Sequence, residues 1–345
     1  MKKGVYIGFI SLAFVLLLLM SCFAGCTSQT PAAQPTAAAT AAPTAAPAAA
    51  AEQQTLVIAT TTSLYDTGLL DYLQPIFEKQ NNVKLKITSQ GTGKAIELAK
   101  NGDADVLLVH SPSQELAFMK DGFGVNRRSF ASNSFIIIGP ANDPAGIKGM
   151  TPEAAVSAIY LKGMNKTSGI AFISRGDGSG THSAEKAIWK NAGYNYTNQI
   201  QKSGTWYVEA GKGMGETLQM GNEKGAYVLT DEGTYLAYKK DLALTPIISS
   251  GASLLNIYSV MTVYNTKQPV EKIELANKFV NFLIDPATQT EIGKFGVEKY
   301  GKALFIPMSE KVPEAKAGYV GDYTSPATDL KPAPAAAPTA TAAQK

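Results

Sequence analysis

Three short segments rich in hydroxyl side chains and glycine have the composition of an anion-binding site. They are residues 60–63 (Thr-Thr-Thr-Ser), 89–93 (Ser-Gln-Gly-Thr-Gly) and 175–182 (Arg-Gly-Asp-Gly-Ser-Gly-Thr-His). Hydroxyl and backbone N–H groups donate hydrogen bonds, and glycine lets the backbone approach a ligand closely. Arg175 is the one permanent cation in these segments. The set therefore indicates donors for a small oxyanion.

Each segment also fits a simpler explanation when it is considered alone. Ser and Thr before a helix commonly cap it, and glycine-rich joints are commonly turns. Three such segments, each predicted between a strand and a helix, favour a shared site, because helix N-termini attract anions. A Walker A loop is not predicted, since Gly91-Thr92-Gly93-Lys94 lacks the required spacing.

The enzyme alternative rests on Ser179 and His182. A Gly-x-Ser-x-Gly motif needs glycine two positions on each side of the serine, and Asp177 and Thr181 stand there. His182 lacks an obvious orienting partner, so we predict a binding protein and keep an extracytoplasmic hydrolase as the alternative. With 2 Cys and 2 His in the chain, a His/Cys metal site is not expected, and no cofactor is predicted.

Short apolar runs alternate with helix-period runs through residues 54–325, which predicts an α/β fold. Strands are predicted at 55–59, 83–88, 106–109, 133–139, 170–174 and 225–229, and helices at 69–80, 95–100, 152–161, 183–191 and 270–284. The order suggests a chain that builds one lobe, crosses to a second and returns, with crossings near 138–142 and 244–250. Lobe 1 would then comprise 54–139 and 248–325, and lobe 2 would comprise 140–247.

The N-terminus has the pattern of a lipoprotein signal peptide. Lys2 and Lys3 precede an uncharged apolar run over 4–20, and Phe-Ala-Gly-Cys follows at 23–26. We predict a signal peptide over 1–25 and lipid attachment to Cys26, which would anchor the chain at the outer face of the cytoplasmic membrane. A retained transmembrane anchor is the alternative.

Low-complexity segments flank the predicted globular part. Residues 26–53 are dominated by Ala, Pro and Thr and are expected to be a linker, and 326–345 are expected to be a similar tail. The formal net charge of +3 is too small to suggest nucleic acid as a partner.

Several segments in order resemble signatures of one family. Residues 60–70 (Thr-Thr-Thr-Ser-Leu-Tyr-Asp-Thr-Gly-Leu-Leu) resemble the opening signature of tungstate-binding proteins of the TupA type. Residues 109–112 (Val-His-Ser-Pro) and 174–182 resemble the second and third signatures. The likeness extends over about 55–323.

This resemblance implies a two-lobed, type II periplasmic-binding-protein fold, with a ligand cleft between lobes joined by a two-segment hinge. It also implies an importer component that passes its ligand to an ABC permease and ATPase complex. The implied oxyanion donors lie in all three segments: Thr61, Thr62, Ser63, Thr92, Arg175, Ser179, Gly180 and Thr181. Which member of 60–63 contacts the ligand stays open, and His110 and Asp177 are expected to line the cleft.

One departure from the family pattern bears on the ligand. Many members have Asp where this chain has Gly178, and the glycine makes the segment similar to the Arg-x-Asp-Gly-Ser-Gly-Thr loop of phosphate-binding proteins. In those proteins the Asp accepts a proton from the phosphate, so the role of Asp177 stays open. Tungstate is the expected ligand, with molybdate and phosphate as alternatives.

Overall fold

The computed structural model describes residues 53–266, 268–308 and 327–328. The predicted signal peptide, Cys26 and the predicted linker up to residue 52 lie outside the described residues. The predicted tail does too, except for 327 and 328.

The described residues form an α/β structure, as predicted. Its strands are β1 (Gln54–Thr61), β2 (Val83–Gln90), β3 (Val106–Val109), β4 (Gly124–Gly139), β5 (Phe172–Ser174), β6 (Tyr207–Glu209), β7 (Tyr227–Asp231), β8 (Thr245–Ile248), β9 (Leu255–Val263) and β10 (Ile306–Pro307). Its α-helices are α1 (Thr62–Tyr65), α2 (Leu69–Asn81), α3 (Thr92–Asn101), α4 (Pro112–Lys120), α5 (Pro152–Met164), α6 (Gly180–Asn191), α7 (Met214–Lys224), α8 (Glu232–Tyr238), α9 (Val270–Ile284), α10 (Pro286–Lys294) and α11 (Val297–Tyr300).

The strands join in the order β2-β1-β3-β9-β4-β7-β5-β6, and β8 and β10 also pair with β4. β1 is parallel to β2 and β3, and β5 is parallel to β6 and β7. The pairs β3–β9, β4–β9 and β4–β7 are antiparallel. Because parallel strands end at the same edge of a sheet, the loops after β1, β2 and β3 lie together, and the loop after β5 lies beside those after β6 and β7.

Strand β4 belongs to two parts of the sheet. Its residues 124–134 pair with β9, whereas residues 135–138 pair with β7 and residues 137–139 pair with β8. We call β1, β2, β3, β9, β10 and residues 124–134 the first sheet half, and β5 to β8 with residues 135–139 the second. The chain thus passes between halves at Ser134 and Phe135, slightly before the predicted crossing at 138–142. It returns between β8 and β9.

Each half has apolar packing on both faces. In the first half one face packs Leu56, Phe77 and Phe279 together, and the other packs Ala59, Leu107 and Met261. In the second half, separate clusters form around Trp189 and around Met214. Strands buried on both faces read as continuous apolar runs, which is why β3 was predictable from four consecutive apolar residues.

Among the described helices, none combines the length and the apolar character needed to cross a membrane.

Candidate anion-binding site

The first loop joins β1 to α1. The Thr61 hydroxyl caps the helix by accepting from the backbone N–H of Leu64 at 3.3 Å. The Ser63 hydroxyl lies 3.0 Å from Nε2 of His110. Within the described residues, the solvent-inaccessible Oγ1 of Thr62 has no hydrogen-bond partner. Oγ1 of Thr60, in β1, is also buried without a partner in this part of the chain, so Thr60 and Thr62 are the members of 60–63 whose hydroxyls are available to a ligand.

A buried chain of hydrogen bonds sets the orientation of the His110 ring. Asn133 donates to a carboxylate oxygen of Asp231, Asn256 donates to Oδ1 of Asn133 at 2.8 Å, and Nδ1 of His110 lies 2.9 Å from Oδ1 of Asn256. Because the carboxylate only accepts, each amide is oriented in turn, and Nδ1 of His110 carries the proton. Burial lowers the pKa of His110 to about 4, so the neutral ring accepts the Ser63 proton at Nε2.

The second loop joins β2 to α3. Gly91 precedes the helix, and Thr92 is its first residue. Thr92 is fully buried, and its Oγ1 has no partner among the described residues. A Cβ atom on Gly91 would lie 3.0 Å from Oδ2 of Asp177. Glycine at this position therefore lets the second loop contact the loop that carries Arg175.

The third loop joins β5 to α6 and contains a buried cation. The side chain of Arg175 is 1% exposed. Its Nε donates to the carbonyl of Lys212 at 3.3 Å, and its Nη2 donates to Asp177. Nη1 is inaccessible to solvent and has no partner within the described part of the chain. A buried guanidinium N–H aimed at no protein acceptor is a strong donor for an anion.

The remaining polar groups of the third loop differ in whether they have a hydrogen-bond partner within the loop. Oδ1 of Asp177 accepts from the backbone N–H of Ser179 at 3.1 Å, and the Ser179 hydroxyl accepts from the N–H of His182 at 3.1 Å. Ser179 is thus the N-cap of α6. Thr181 is 1% exposed, and its Oγ1 has no partner in the described residues.

Contacts between the loops bring these groups together. The His110 ring, which contacts the first loop through Ser63, also abuts the third loop. A Cβ atom on Gly180 would lie 2.7 Å from Cε1 of that ring.

A Cβ atom on Gly213 would lie 3.8 Å from Thr62. Gly213 follows Lys212, the carbonyl partner of Arg175. The first, second and third loops therefore meet at the border of the two sheet halves.

The site offers several buried hydroxyl groups and one guanidinium nitrogen that can donate hydrogen bonds to an anion. Among the described residues of the three segments, the buried groups without a hydrogen-bond partner are four hydroxyls and one guanidinium nitrogen, those of Thr60, Thr62, Thr92, Thr181 and Arg175. The N-termini of α3 and α6 lie at the second and third loops. The positive ends of both helix dipoles are therefore close to these groups. No three His, Cys, Asp or Glu side chains in the described ranges are grouped to hold a metal ion.

Two features of the site were missing from the sequence-based prediction. The N-terminus of α7 lies beside Thr62 through Gly213, and Asn256 of β9 orients His110. The signal for the first was the segment 213–218 (Gly-Met-Gly-Glu-Thr-Leu), which resembles a later segment of the TupA-type proteins. Asn256 gave no signal, because its partner His110 is 146 positions away in the sequence.

Comparison with known proteins places the chain in a family. The model of the PBP superfamily domain matches residues 41–287. The tungstate-binding protein TupA of Peptoclostridium acidaminophilum is 42% identical over 257 residues, which cover 74% of this chain and 87% of that protein.

Solved structures agree with the sequence relatives. The tungstate ABC transporter structure from Geobacter sulfurreducens is 44% identical with a TM-score of 0.62, covering 70% of this chain and 98% of that one. The tungstate-binding protein TupA from Desulfovibrio alaskensis is 43% identical with a TM-score of 0.61, covering 74% and 98%. The chain has the periplasmic-binding-protein fold, and it belongs to the TupA family of ABC transporter substrate-binding proteins.

Proposed function

We propose that this protein is the extracytoplasmic substrate-binding component of an ABC importer and that it binds tungstate. The observation that carries the proposal is the set of five buried donors on Thr60, Thr62, Thr92, Thr181 and Arg175 that have no partner within the described residues. Buried donors without acceptors are costly, and a tetrahedral oxyanion would satisfy all of them at once. The names of the relatives above support tungstate as that anion.

The hydrogen bonds of Asp177 favour tungstate over phosphate. Tungstate carries no proton at neutral pH, so its ideal site contains donors only, whereas phosphate keeps a proton and rewards an acceptor. Both carboxylate oxygens of Asp177 are already engaged, one by Arg175 and the other by the N–H of Ser179. We infer that Asp177 stabilises the loop and does not accept a proton from the anion. Molybdate, similar to tungstate in size and charge, stays the nearest alternative.

We infer that the protein binds and releases its ligand without catalysis. His182, the base considered for Ser179, instead accepts the N–H of Gly178 at Nδ1, and its Nε2 lies 2.7 Å from the Tyr196 hydroxyl. Its pKa is lowered to about 4, mainly by burial. Neither ring nitrogen is therefore available to take a proton from the Ser179 hydroxyl.

A second serine–histidine pair has the contacts of a hydrolase triad but not its electrostatics. Ser63, His110 and Asn256 follow one another at 3.0 and 2.9 Å. A general base works best when its pKa is near the operating pH. With its pKa lowered to about 4 by burial, His110 is a weak base at pH 7. Absence of turnover on ester and phosphoester substrates would support this inference.

Calorimetry with tungstate, molybdate, sulfate and phosphate at neutral pH tests the proposed ligand. We expect tight binding of tungstate and weak or no binding of phosphate. Thr62→Ala and Thr181→Ala should each weaken tungstate binding, because each removes a donor. Tight phosphate binding with no tungstate binding would contradict the proposal.

The cellular setting is part of the same proposal. The signal-like sequence before Cys26 supports lipid anchoring at the outer face of the cytoplasmic membrane, and the family supports delivery to a permease and ATPase complex. We further propose that the two sheet halves are the cores of two lobes that close on the ligand, a motion typical of periplasmic binding proteins.

A further inference from the structure

One side chain of the first sheet half is hydrogen-bonded to the third loop. Gln114 lies in α4, the helix that follows β3, and its Nε2 is 3.1 Å from the carbonyl of Gly178 and 3.1 Å from the Ser183 hydroxyl. A third contact, at 3.1 Å, holds Nε2 against the Ser111 hydroxyl of its own loop. A carbonyl only accepts, so the amide nitrogen must face Gly178.

The peptide groups around Gly178 are held by hydrogen bonds to neighbouring side chains. Its N–H donates to His182, and the next N–H, of Ser179, donates to Asp177. Gly178 itself has a positive φ of 72°, and a Cβ atom there would meet no neighbour within 4 Å. The bond from Gln114 is thus the contact from the first sheet half that orients this carbonyl, one residue before the cap of α6.

Gln114 contacts the third loop through hydrogen bonds, unlike two other close approaches between the loops. His110 against Gly180 and Asp177 against Gly91 are close approaches that need glycine. The amide of Gln114 instead shares its two N–H groups among Ser111, Gly178 and Ser183, and its bonds to Gly178 and Ser183 form only when α4 and the third loop are adjacent. If the sheet halves separate to release a ligand, both bonds are exchanged for bonds to water.

We propose that Gln114 is a positioning residue that fastens α4 to the third loop around the bound oxyanion and slows release of the ligand. The inference rests on the proposed function. Gln114 touches the loop that carries Arg175 and Thr181, so it acts through the loop's position. Its loss should raise the dissociation rate, because opening the site for release would break the contacts between α4 and the third loop.

The test measures tungstate dissociation by stopped flow for Gln114→Ala and Gln114→Glu. Two neutral hydrogen bonds predict an increase of about tenfold in the dissociation rate for Gln114→Ala, with the association rate unchanged. Gln114→Glu should release tungstate faster still, because a carboxylate cannot donate to the Gly178 carbonyl and repels it. Ser113→Ala, at an exposed position on the same helix, is the matched control.

Two further measurements separate positioning from a general effect on folding. Thermal unfolding of the ligand-free variants should match that of the control. On a Ser183→Ala background the effect of Gln114→Ala should be smaller, since one of the two bonds is already gone. A control-like dissociation rate in Gln114→Ala would overturn the inference, and so would an equal loss of ligand-free stability. Failure of the unmodified protein to bind tungstate would instead refute the proposed function.

Discussion

The guanidinium group of Arg175 donates a hydrogen bond to Oδ2 of Asp177, two residues further along the same loop. The arginine side chain is 1% exposed, and its Nη1 has no partner within the described residues. Nη2 of the guanidinium group therefore stabilises the loop, while Nη1 is available to a ligand. Substitutions of Arg175 and Asp177 are therefore expected to differ in their effects on tungstate affinity.

Arg175→Ala should weaken tungstate binding by at least about 1.5–3 kcal/mol, the contribution of a hydrogen bond to a charged group. Arg175→Lys should recover part of the charge but not the planar geometry that serves Asp177, Lys212 and the anion together. Calorimetry gives the affinities, and Lys190→Ala, which removes an exposed cation at the other end of α6, is the control. Unchanged affinity in a folded Arg175→Ala protein would place the anion elsewhere.

Asp177→Asn should leave tungstate affinity within a few-fold, because the amide oxygen can still accept from the N–H of Ser179. Removing a negative charge near the anion partly offsets the loss of the Arg175 contact. Asp177→Ala is the sharper probe for the alternative ligand. If the unmodified protein binds phosphate tightly and Asp177→Ala loses about 1–3 kcal/mol of that binding, the carboxylate accepts the phosphate proton and the choice of tungstate is wrong.

Gly180→Ala should strongly reduce tungstate binding, because its methyl group would lie 2.7 Å from the ring of His110. The ring cannot easily move, since Asn256 binds one edge and Tyr258 stacks on it at 4.8 Å. Gly93→Ala is the matched control: it lies in α3, and an added Cβ meets nothing within 4 Å. Equal affinities for the two variants would show that the third loop need not approach His110.

Much of the fold was predictable from the sequence where the buried residues are apolar and follow a regular pattern along the chain. β3 and α9 have the predicted bounds, because their apolar patterns are uninterrupted. The first part of β4 was not predicted, since Arg127 is buried there as an ion pair with Glu115 of α4. Such a pair depends on tertiary contact, so the residues appear to be surface residues when only the sequence is read.

The candidate site was predictable in its composition but not in the roles of its hydroxyls. Within the part of the chain that the structure describes, the hydroxyls of Thr62, Thr92 and Thr181 have no hydrogen-bond partner, whereas Thr61 and Ser179 cap helices. All five have the same residue types in the same kind of loop. Only the three-dimensional arrangement separates hydroxyls used for capping from those available to a ligand. Their direct contact with the anion remains a prediction.

Glu185→Gln should change how stability depends on pH. Glu185 is buried and accepts hydrogen bonds from Ser174, Tyr207 and Trp189, and burial raises its pKa from 4.5 to about 7. The folded protein thus holds this proton more tightly than the unfolded chain does. Its contribution to stability is complete below pH 4.5 and is lost as the pH rises through about 7.

The glutamine cannot ionise, so Glu185→Gln should gain stability relative to the unmodified protein between pH 5 and pH 8. Urea unfolding at those two values measures the difference. Glu209→Gln, at a more exposed carboxylate of the same cluster, is a useful comparison. The same offset between Glu185→Gln and the unmodified protein at both values would contradict the assigned pKa.

Cys26→Ala should give an unprocessed precursor that carries no lipid. The reason is the Phe-Ala-Gly-Cys sequence at 23–26 after the apolar run, because the cysteine sulfur is the predicted attachment point. Metabolic labelling with a fatty-acid precursor measures the modification, and Cys22→Ala is the control because it leaves this sequence intact. Equal labelling of Cys26→Ala and the control would exclude the lipid anchor.

Strand β4 crosses from one sheet half to the other without a break at Ser134 and Phe135. An extended strand resists stretching but tolerates changes in twist. If the two halves move as the proposed lobes, we expect a rotation with β4 as its pivot and little sliding. The return connection between β8 and β9 contains Gly251, whose φ of 146° favours glycine. We expect this connection to be the second hinge segment. The two sheet halves would then open by rotation about a single axis.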